Sequence, residues 1–192
     1  MRLTGGEHSG RLLKVPADGT RPTQDKVRAA IFSSLAAAVP GARVLDLFAG
    51  TGALGLEAWS RGADWVEWVE SGKNALRALR GNVAALGVPT EAGRVLAADV
   101  FRLLAAPCSG KPFDLALADP PYAEALDKGW QAQLADSLAR NGWVRPGGVF
   151  VFETEGKRPP PELPDWRLAR DKTYGSTRVL IWVRADGPPS AP

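Results

Sequence analysis

The stretch Arg43 to Gly55, RVLDLFAGTGALG, constrains the fold more than any other. An apolar run, Arg43 to Phe48, reads as a buried strand and is followed at once by the loop Ala49 to Gly52. Gly50, Gly52 and Gly55 stand in a G-x-G-x-x-G pattern. Glycines at that spacing let the backbone turn sharply from strand to helix, approach a ligand closely, and leave that ligand beside a helix N-terminus. A chain built round such a turn is committed to parallel strands joined by crossover helices.

The rest of the chain agrees. Trp65 to Val69 (WVEWV), Arg94 to Ala98, Phe113 to Ala118 (FDLALA) and Val149 to Glu153 (VFVFE) read as further strands, the last after the turn Pro146-Gly147-Gly148. Helical spacing covers Ala53 to about Arg61, Asn74 to Leu86 and Leu126 to Ala139. Upstream, Thr23 to Ala38 carries Val27, Ile31, Leu35 and Ala38 on one helix face, started by Pro22-Thr23 and stopped by Pro40-Gly41. This alternation predicts an α/β protein with a Rossmann-like, mostly parallel sheet and helices on both faces. Trp166 to Lys172 and Thr177 to Val183 break the rhythm. Only Thr173 to Ser176 separates them, too few residues for a crossover, so they predict a C-terminal antiparallel hairpin. Strand-like pieces at Arg2 to Thr4 and Arg11 to Lys14 flank Gly5-Gly6 and Gly10 and predict a small N-terminal β-hairpin ahead of the first helix.

A chain of 192 residues suits a single domain, 1–192, in which 1–22 form an arm and 185–192 (ADGPPSAP) a loose tail with nothing to bury. Charge marks the arm. The chain holds 24 Lys and Arg against 21 Asp and Glu; six basic and three acidic side chains fall in residues 1–28, so the +3 excess lies there and residues 29–192 balance. Cys108 is the single cysteine and His8 the single histidine, which excludes an internal disulfide and a zinc cluster of the usual spacing, so no metal is expected. No apolar run approaches the roughly 18 residues of a membrane span, and MRLTGGEHSG lacks the apolar core of a signal peptide. The expectation is a cytoplasmic protein without a membrane partner. Of the seven tryptophans, Trp65, Trp68, Trp166 and Trp182 fall in strand patterns and are expected in the core.

Acidic residues refine the glycine loop. Glu70, at the end of the second strand and twenty residues after Gly50, is placed to accept hydrogen bonds from ribose hydroxyls. That much specifies a nucleoside-containing cofactor, either a dinucleotide or S-adenosylmethionine. Asp46 discriminates: it interrupts an otherwise apolar strand where a dinucleotide site keeps apolar residues, and a carboxylate there suits a ligand bearing ammonium and sulfonium cations. Its alternative role is to cap local backbone N–H groups. Asp99, ending the third strand, is positioned either for an adenine amino group or as the N-cap of a helix beginning at Val100. Phe48 and Thr51 complete the candidate cofactor set within the loop.

At the end of the fourth strand stands Asp119-Pro120-Pro121-Tyr122. Ligands of open parallel sheets bind beyond the carboxyl ends of the strands, so this turn is expected beside the glycine loop. Two prolines fix the backbone torsions, offer no N–H, and leave carbonyls as acceptors. An acid, a rigid turn and an aromatic ring make a holder for a flat heterocycle bearing an NH2 group: Asp119 and the Pro120 carbonyl accept its two N–H bonds and Tyr122 stacks on the ring.

Asp46-x-Phe48-Ala49-Gly50-Thr51-Gly52 followed by Asp119-Pro120-Pro121-Tyr122 is similar to the motifs of class I methyltransferases that act on exocyclic amines of nucleic-acid bases. The N-terminal segments GGEHSGRLLKVP and GTRPTQDKVRAAIF narrow this further and resemble the RsmD family, bacterial 16S rRNA guanine-N2 methyltransferases. The resemblance implies S-adenosylmethionine as cofactor and 16S rRNA, within an assembled or assembling small ribosomal subunit, as partner of a monomer. It also implies that the arm closes over the cofactor and meets RNA through Arg11, Arg21 and Thr23, with Arg2 and Lys14 adding phosphate contacts. Capping of the first helix is the alternative role of Thr23. Tyr122 is also the residue that adenine-N6 enzymes use, so adenine-N6 methylation of DNA or RNA stays open. An NAD-dependent oxidoreductase and a noncatalytic RNA-binding or ribosome-assembly module are the alternatives from other classes.

Overall fold

The computed structural model describes residues 1–15, 25–156 and 159–186. Arg21 and Thr23, and the tail beyond Asp186, lie outside the described residues. Two compact units divide the chain, Met1–Val100 and Phe101–Pro192.

In the first unit β1 (Arg43–Leu47), β2 (Trp65–Glu70) and β3 (Gly93–Ala97) stand in the order β3-β2-β1. Both pairings are parallel, with Val44 opposite Val66 and Val66 opposite Gly93. β1 and β2 carry near-continuous apolar runs, the pattern of strands covered on both faces, and Val44, Leu45, Leu47, Val66, Trp68 and Val69 are fully buried. Around them lie α1 (Asp25–Ser34), α2 (Ala53–Ser60) and α3 (Lys73–Leu86). The first helix stops short of the expected Ala38. The Ser34 hydroxyl bonds the Ala30 carbonyl at 2.9 Å, the chain leaves the helix in a turn, and Leu35 stays buried while Ala38 is exposed. The expected N-terminal hairpin is present: Arg2 bridges Leu12 in antiparallel sense, and the N–H groups of Leu3 and Leu13 donate to the carbonyls of Arg11 and Met1, each at 3.0 Å. Leu3 and Leu13 are buried, and the alternation between them leaves Leu12 exposed.

A five-residue helix, α4 (Val100–Leu104), begins at Val100, where Asp99 was weighed as an N-cap, and is too short to show any hydrophobic period. The second unit holds β4 (Phe113–Ala118), α5 (Tyr122–Asp127), α6 (Trp130–Arg140), β5 (Val144–Glu155), β6 (Trp166–Tyr174) and β7 (Thr177–Arg184). Its strand order is β4-β5-β7-β6. β4 and β5 are parallel, whereas β7 runs antiparallel to both β5 and β6, so the C-terminal hairpin is formed as expected. The helix expected over Leu126 to Ala139 is instead two. Gly129 lies between α5 and α6 with φ 63°, a left-handed conformation that ends a right-handed helix. The Pro146-Gly147-Gly148 turn lies inside β5 rather than before it. Pairing steps from Phe113 opposite Val144 to Leu115 opposite Val149, so the surplus residues of β5 bulge at the glycines. The core tryptophans Trp68, Trp166 and Trp182 are buried as expected, and Trp65 is half-buried. Among the described residues, no helix is long and apolar enough to cross a membrane.

Candidate functional site

Between β1 and α2 the backbone turns through Phe48 (φ 56°), Gly50 (φ 56°) and Gly52 (φ 83°), all left-handed. No other non-glycine residue among those described has a positive φ. For a side chain like Phe48 that conformation costs on the order of 1–2 kcal/mol, and strain of this kind concentrates at ligand sites. The three glycines of the pattern serve different ends. A Cβ on Gly55 would stand 2.2 Å from Trp68 Nε1 and 2.8 Å from Val66 Cγ1, so this glycine lets α2 pack onto β2. On Gly52 it would stand 2.4 Å from Leu79 Cδ1. On Gly50 it would meet nothing nearer than the Phe48 carbonyl oxygen at 3.9 Å. Packing therefore accounts for two glycines, and the third keeps the loop surface open.

Two predicted acids hold this turn in place. Glu70, at the end of β2, accepts from the Gly50 N–H at 2.8 Å with one carboxylate oxygen and from the N–H groups of Ser71 (2.8 Å) and Gly72 (2.7 Å) with the other. Asp46 is buried in β1, and its Oδ2 accepts from the Gly55 N–H at 2.8 Å. That contact is the local backbone role weighed above for Asp46; it ties the first turn of α2 to the strand that precedes it. Asp99 is exposed and immediately precedes α4, the position of an N-cap. Phe48 is half-buried and Thr51 buried.

Asn82 was missed by sequence reasoning. It is buried in α3, and its amide donates to the Thr51 carbonyl at 2.9 Å and the Lys14 carbonyl at 3.0 Å, while its oxygen accepts from the Lys14 N–H at 2.8 Å. One side chain thus clamps the glycine loop to the arm. Its signal was available, since Asn82 is the one polar member of the apolar stripe Leu76, Leu79, Asn82, Leu86.

The arm is anchored by a second buried acid that the sequence did not single out. Glu57 of α2 accepts from the Thr4 N–H (2.8 Å), the Thr4 hydroxyl (2.7 Å), Arg28 Nε (3.1 Å) and Arg61 Nε (2.8 Å). Arg28 is fully buried and also reaches Asp25 at 2.9 Å and the Arg2 carbonyl. Burial pushes the Asp25 carboxyl up, but the hydrogen bonds from Arg28 and the Arg2 N–H, with the Arg28 charge, outweigh it and hold it below its usual range. Of the predicted basic contacts, Arg2, Arg11 and Lys14 are exposed; Arg2 pairs with Asp25 and Arg11 bonds the Ala85 carbonyl at 3.2 Å. His8 stacks on Trp59 with ring centroids 4.4 Å apart, which makes it part of the arm's seating on α2.

In the second unit Asp119 directly follows β4 and is half-buried, as is Tyr122, while Pro120 is buried and Pro121 exposed. Pro121 is the N-cap of α5, and its carbonyl accepts from the Ala125 N–H at 3.0 Å, so that carbonyl belongs to the helix. The Pro120 carbonyl is the acceptor that the sequence reading expected for a substrate amine. The turn stands at the carboxyl end of a parallel strand, the end where open α/β sheets bind ligands.

The chain is similar to known proteins along most of its length. The family model described as Conserved hypothetical protein 95 matches residues 1–183. The chain is 35% identical over 186 residues to the ribosomal RNA small subunit methyltransferase D of Escherichia coli strain K12, covering 96% of this chain and 90% of that protein. It is 32% identical to the protein of the same name from Haemophilus influenzae, covering 95% of this chain and 93% of the relative. The solved structure of the yhhF protein of Escherichia coli superposes with a TM-score of 0.85 at 32% identity, covering 97% of this chain and 99% of that one.

Proposed function

We propose that this chain, which belongs to the Conserved hypothetical protein 95 family, is an S-adenosylmethionine-dependent methyltransferase that modifies the exocyclic N2 amine of a guanine in 16S rRNA. The observation that carries this reading is the rigid acceptor turn Asp119-Pro120-Pro121-Tyr122 at the end of β4, in a chain similar over nearly its whole length to small-subunit rRNA methyltransferases. An assembled or assembling small ribosomal subunit is the proposed form of the substrate.

The residues of the glycine loop fit the cofactor. Gly50 leaves space where a side chain would stand, the left-handed loop exposes backbone beside the start of α2, and Glu70 offers a carboxylate at the end of β2. When bound, S-adenosylmethionine supplies a methyl group made electrophilic by a sulfonium. Glu70 accepts from the ribose hydroxyls while retaining its bond to the Gly50 N–H. Asp46 steadies the loop through Gly55 and adds negative charge beneath a cationic ligand. Asp99 is the acceptor for the adenine amino group. Phe48, Thr51 and Gly52 shape the backbone that meets the ligand, and Thr23 closes over it.

The target amine donates its two N–H bonds to Asp119 and the Pro120 carbonyl, and Tyr122 stacks on the ring. Both bonds draw the nitrogen lone pair out of conjugation with the ring and fix its direction, so the rate gain comes from orientation and electrostatic placement. The methylated nitrogen is acidic, and its proton leaves to Asp119 or water, so no strong base is required. The only histidine, His8, is occupied in the arm's stack on Trp59. Arg2, Arg11, Lys14 and Arg21 supply salt-sensitive contacts to RNA phosphates. The test is Asp119→Ala assayed for methyl transfer and, separately, for cofactor affinity. Transfer should fall to background with affinity within about threefold of wild type; an equal loss of both contradicts the assignment of Asp119 to the substrate amine.

A further inference from the structure

α3 holds Lys73, Arg77 and Arg80 and no acidic residue. At α1, α2, α5 and α6, by contrast, an acid stands three or four residues before a cation and pairs with it: Asp25–Arg28, Glu57–Arg61, Glu124–Lys128 and Asp136–Arg140. Lys73, Arg77 and Arg80 are exposed, and none of them forms an ion pair with a described residue. The balance of charge over residues 29–192 conceals this local surplus.

Spacings of four and then three residues put the three cations side by side on one helix face, along about 10 Å of axis. That face is not the one that packs inward, which is the stripe Leu76, Leu79, Asn82 and Leu86. Like charges at this spacing oppose the helix, and Lys73, as its first residue, meets the positive end of the macrodipole. The N-cap, Gly72, supplies no side-chain bond in compensation. Folding gains nothing from such an arrangement, whereas a polyanion laid along the face relieves every repulsion in it.

The position of α3 says which polyanion. It begins three residues after Glu70, at the carboxyl edge of the sheet where ligands of open α/β sheets bind. Its later turns hold the arm, through Asn82 on the Lys14 backbone and the Ala85 carbonyl on Arg11. Cations placed between a basic arm and a ligand-binding edge suit an extended chain of phosphates.

We infer that the Lys73-Arg77-Arg80 face of α3 carries the RNA phosphate backbone between the arm and the ligand-binding edge of the sheet. The inference rests on the proposed rRNA substrate and extends the RNA-contact surface beyond residues 1–28.

The test uses Arg77→Gln/Arg80→Gln in the full chain, with binding to naked 16S rRNA and to unmodified small subunits measured across a salt series and thermal unfolding in parallel. The melting temperature should equal or exceed wild type, because a like-charge pair is removed and glutamine is about as good a helix former as arginine. The Kd for naked rRNA at about 0.1 M salt should nonetheless rise about tenfold, and the slope of log affinity against log salt should shrink by about 1.5, the share of two phosphate contacts. S-adenosylmethionine affinity should not change. Arg77→Lys/Arg80→Lys keeps both charges and should keep the wild-type slope. Arg140→Gln, which removes a paired cation of α6, should keep it too. A wild-type slope in Arg77→Gln/Arg80→Gln, or an equal loss per charge in Arg140→Gln, overturns the assignment while leaving the methyltransferase reading intact. So does weaker binding to subunits with unchanged binding to naked rRNA, which would make an acidic protein the partner of this face. Failure of the wild-type protein to bind or methylate any ribosomal RNA overturns both.

Discussion

Replacing Glu57 with Gln tests how the arm is held to the molecule. Glu57 and Arg28 both have fully buried side chains, with Nε and Oε2 3.1 Å apart. The glutamine keeps the volume but removes the charge and one acceptor oxygen. If its NH2 replaces Oε2, the Thr4 N–H and Arg28 Nε lose their acceptor; if it replaces Oε1, Arg61 Nε does, while the Thr4 hydroxyl can rotate to accept. Either way the Arg28 guanidinium stays buried, with Asp25, itself 37% exposed at its side chain, as its remaining carboxylate. Breaking a buried pair by removing one partner costs about 3–5 kcal/mol. At about 2–4 °C per kcal/mol for a chain of this size, the melting temperature should fall by about 6–20 °C. Urea denaturation of Glu57→Gln, Arg28→Leu and the double variant measures the coupling. The double variant should be less destabilised than the sum of the singles by more than 1 kcal/mol or so. A Glu57→Gln loss below about 1 kcal/mol, or full additivity, refutes the assignment of this pair as the anchor of the arm.

The three glycines should separate in the same assays. Gly50→Ala places its Cβ in open space, so it should cost about 1–2 kcal/mol of stability through φ alone yet weaken S-adenosylmethionine binding at least tenfold by calorimetry. Gly55→Ala drives a Cβ into Trp68 and should lose about 1–3 kcal/mol by overpacking. Asp171 gives a pH signature. The Arg178 hydrogen bond, with the Arg178 charge, outweighs burial and holds its carboxyl below the ordinary value of 3.8. A depressed carboxylate stabilises above its unfolded pKa, and that stability is lost as the pH falls through the folded value. Acid unfolding should therefore show a component below about pH 4 that Asp171→Asn removes, at a neutral-pH cost under about 1 kcal/mol for so exposed a pair.

The glycine loop and the strand ends were legible because their residue types are dictated by local backbone geometry. G-x-G-x-x-G after an apolar strand leaves few alternatives, and φ at Gly50 and Gly52 is what the pattern requires. The C-terminal hairpin was legible from the shortness of Thr173 to Ser176, and the N-terminal one from strand-like pieces flanking Gly5-Gly6 and Gly10. The helix break at Gly129 was not, because the apolar spacing runs through α5 and α6 while a single left-handed residue separates them. The bulge in β5 was read as a turn because Pro-Gly-Gly has the same composition in either setting. Glu57 and Asn82 escaped notice for a different reason. Each is a polar residue on the buried face of its helix, and its function depends on partners such as Thr4, Arg28, Lys14 and Thr51 that are distant in sequence.

The central claim is tested most directly by incubating the protein with labelled S-adenosylmethionine and either unmodified 30S subunits or naked 16S rRNA, then digesting the RNA and identifying the labelled nucleoside. The account predicts label in N2-methylguanosine, with the assembled particle the better substrate. Label in N6-methyladenosine, or none in either RNA despite bound S-adenosylmethionine, contradicts it.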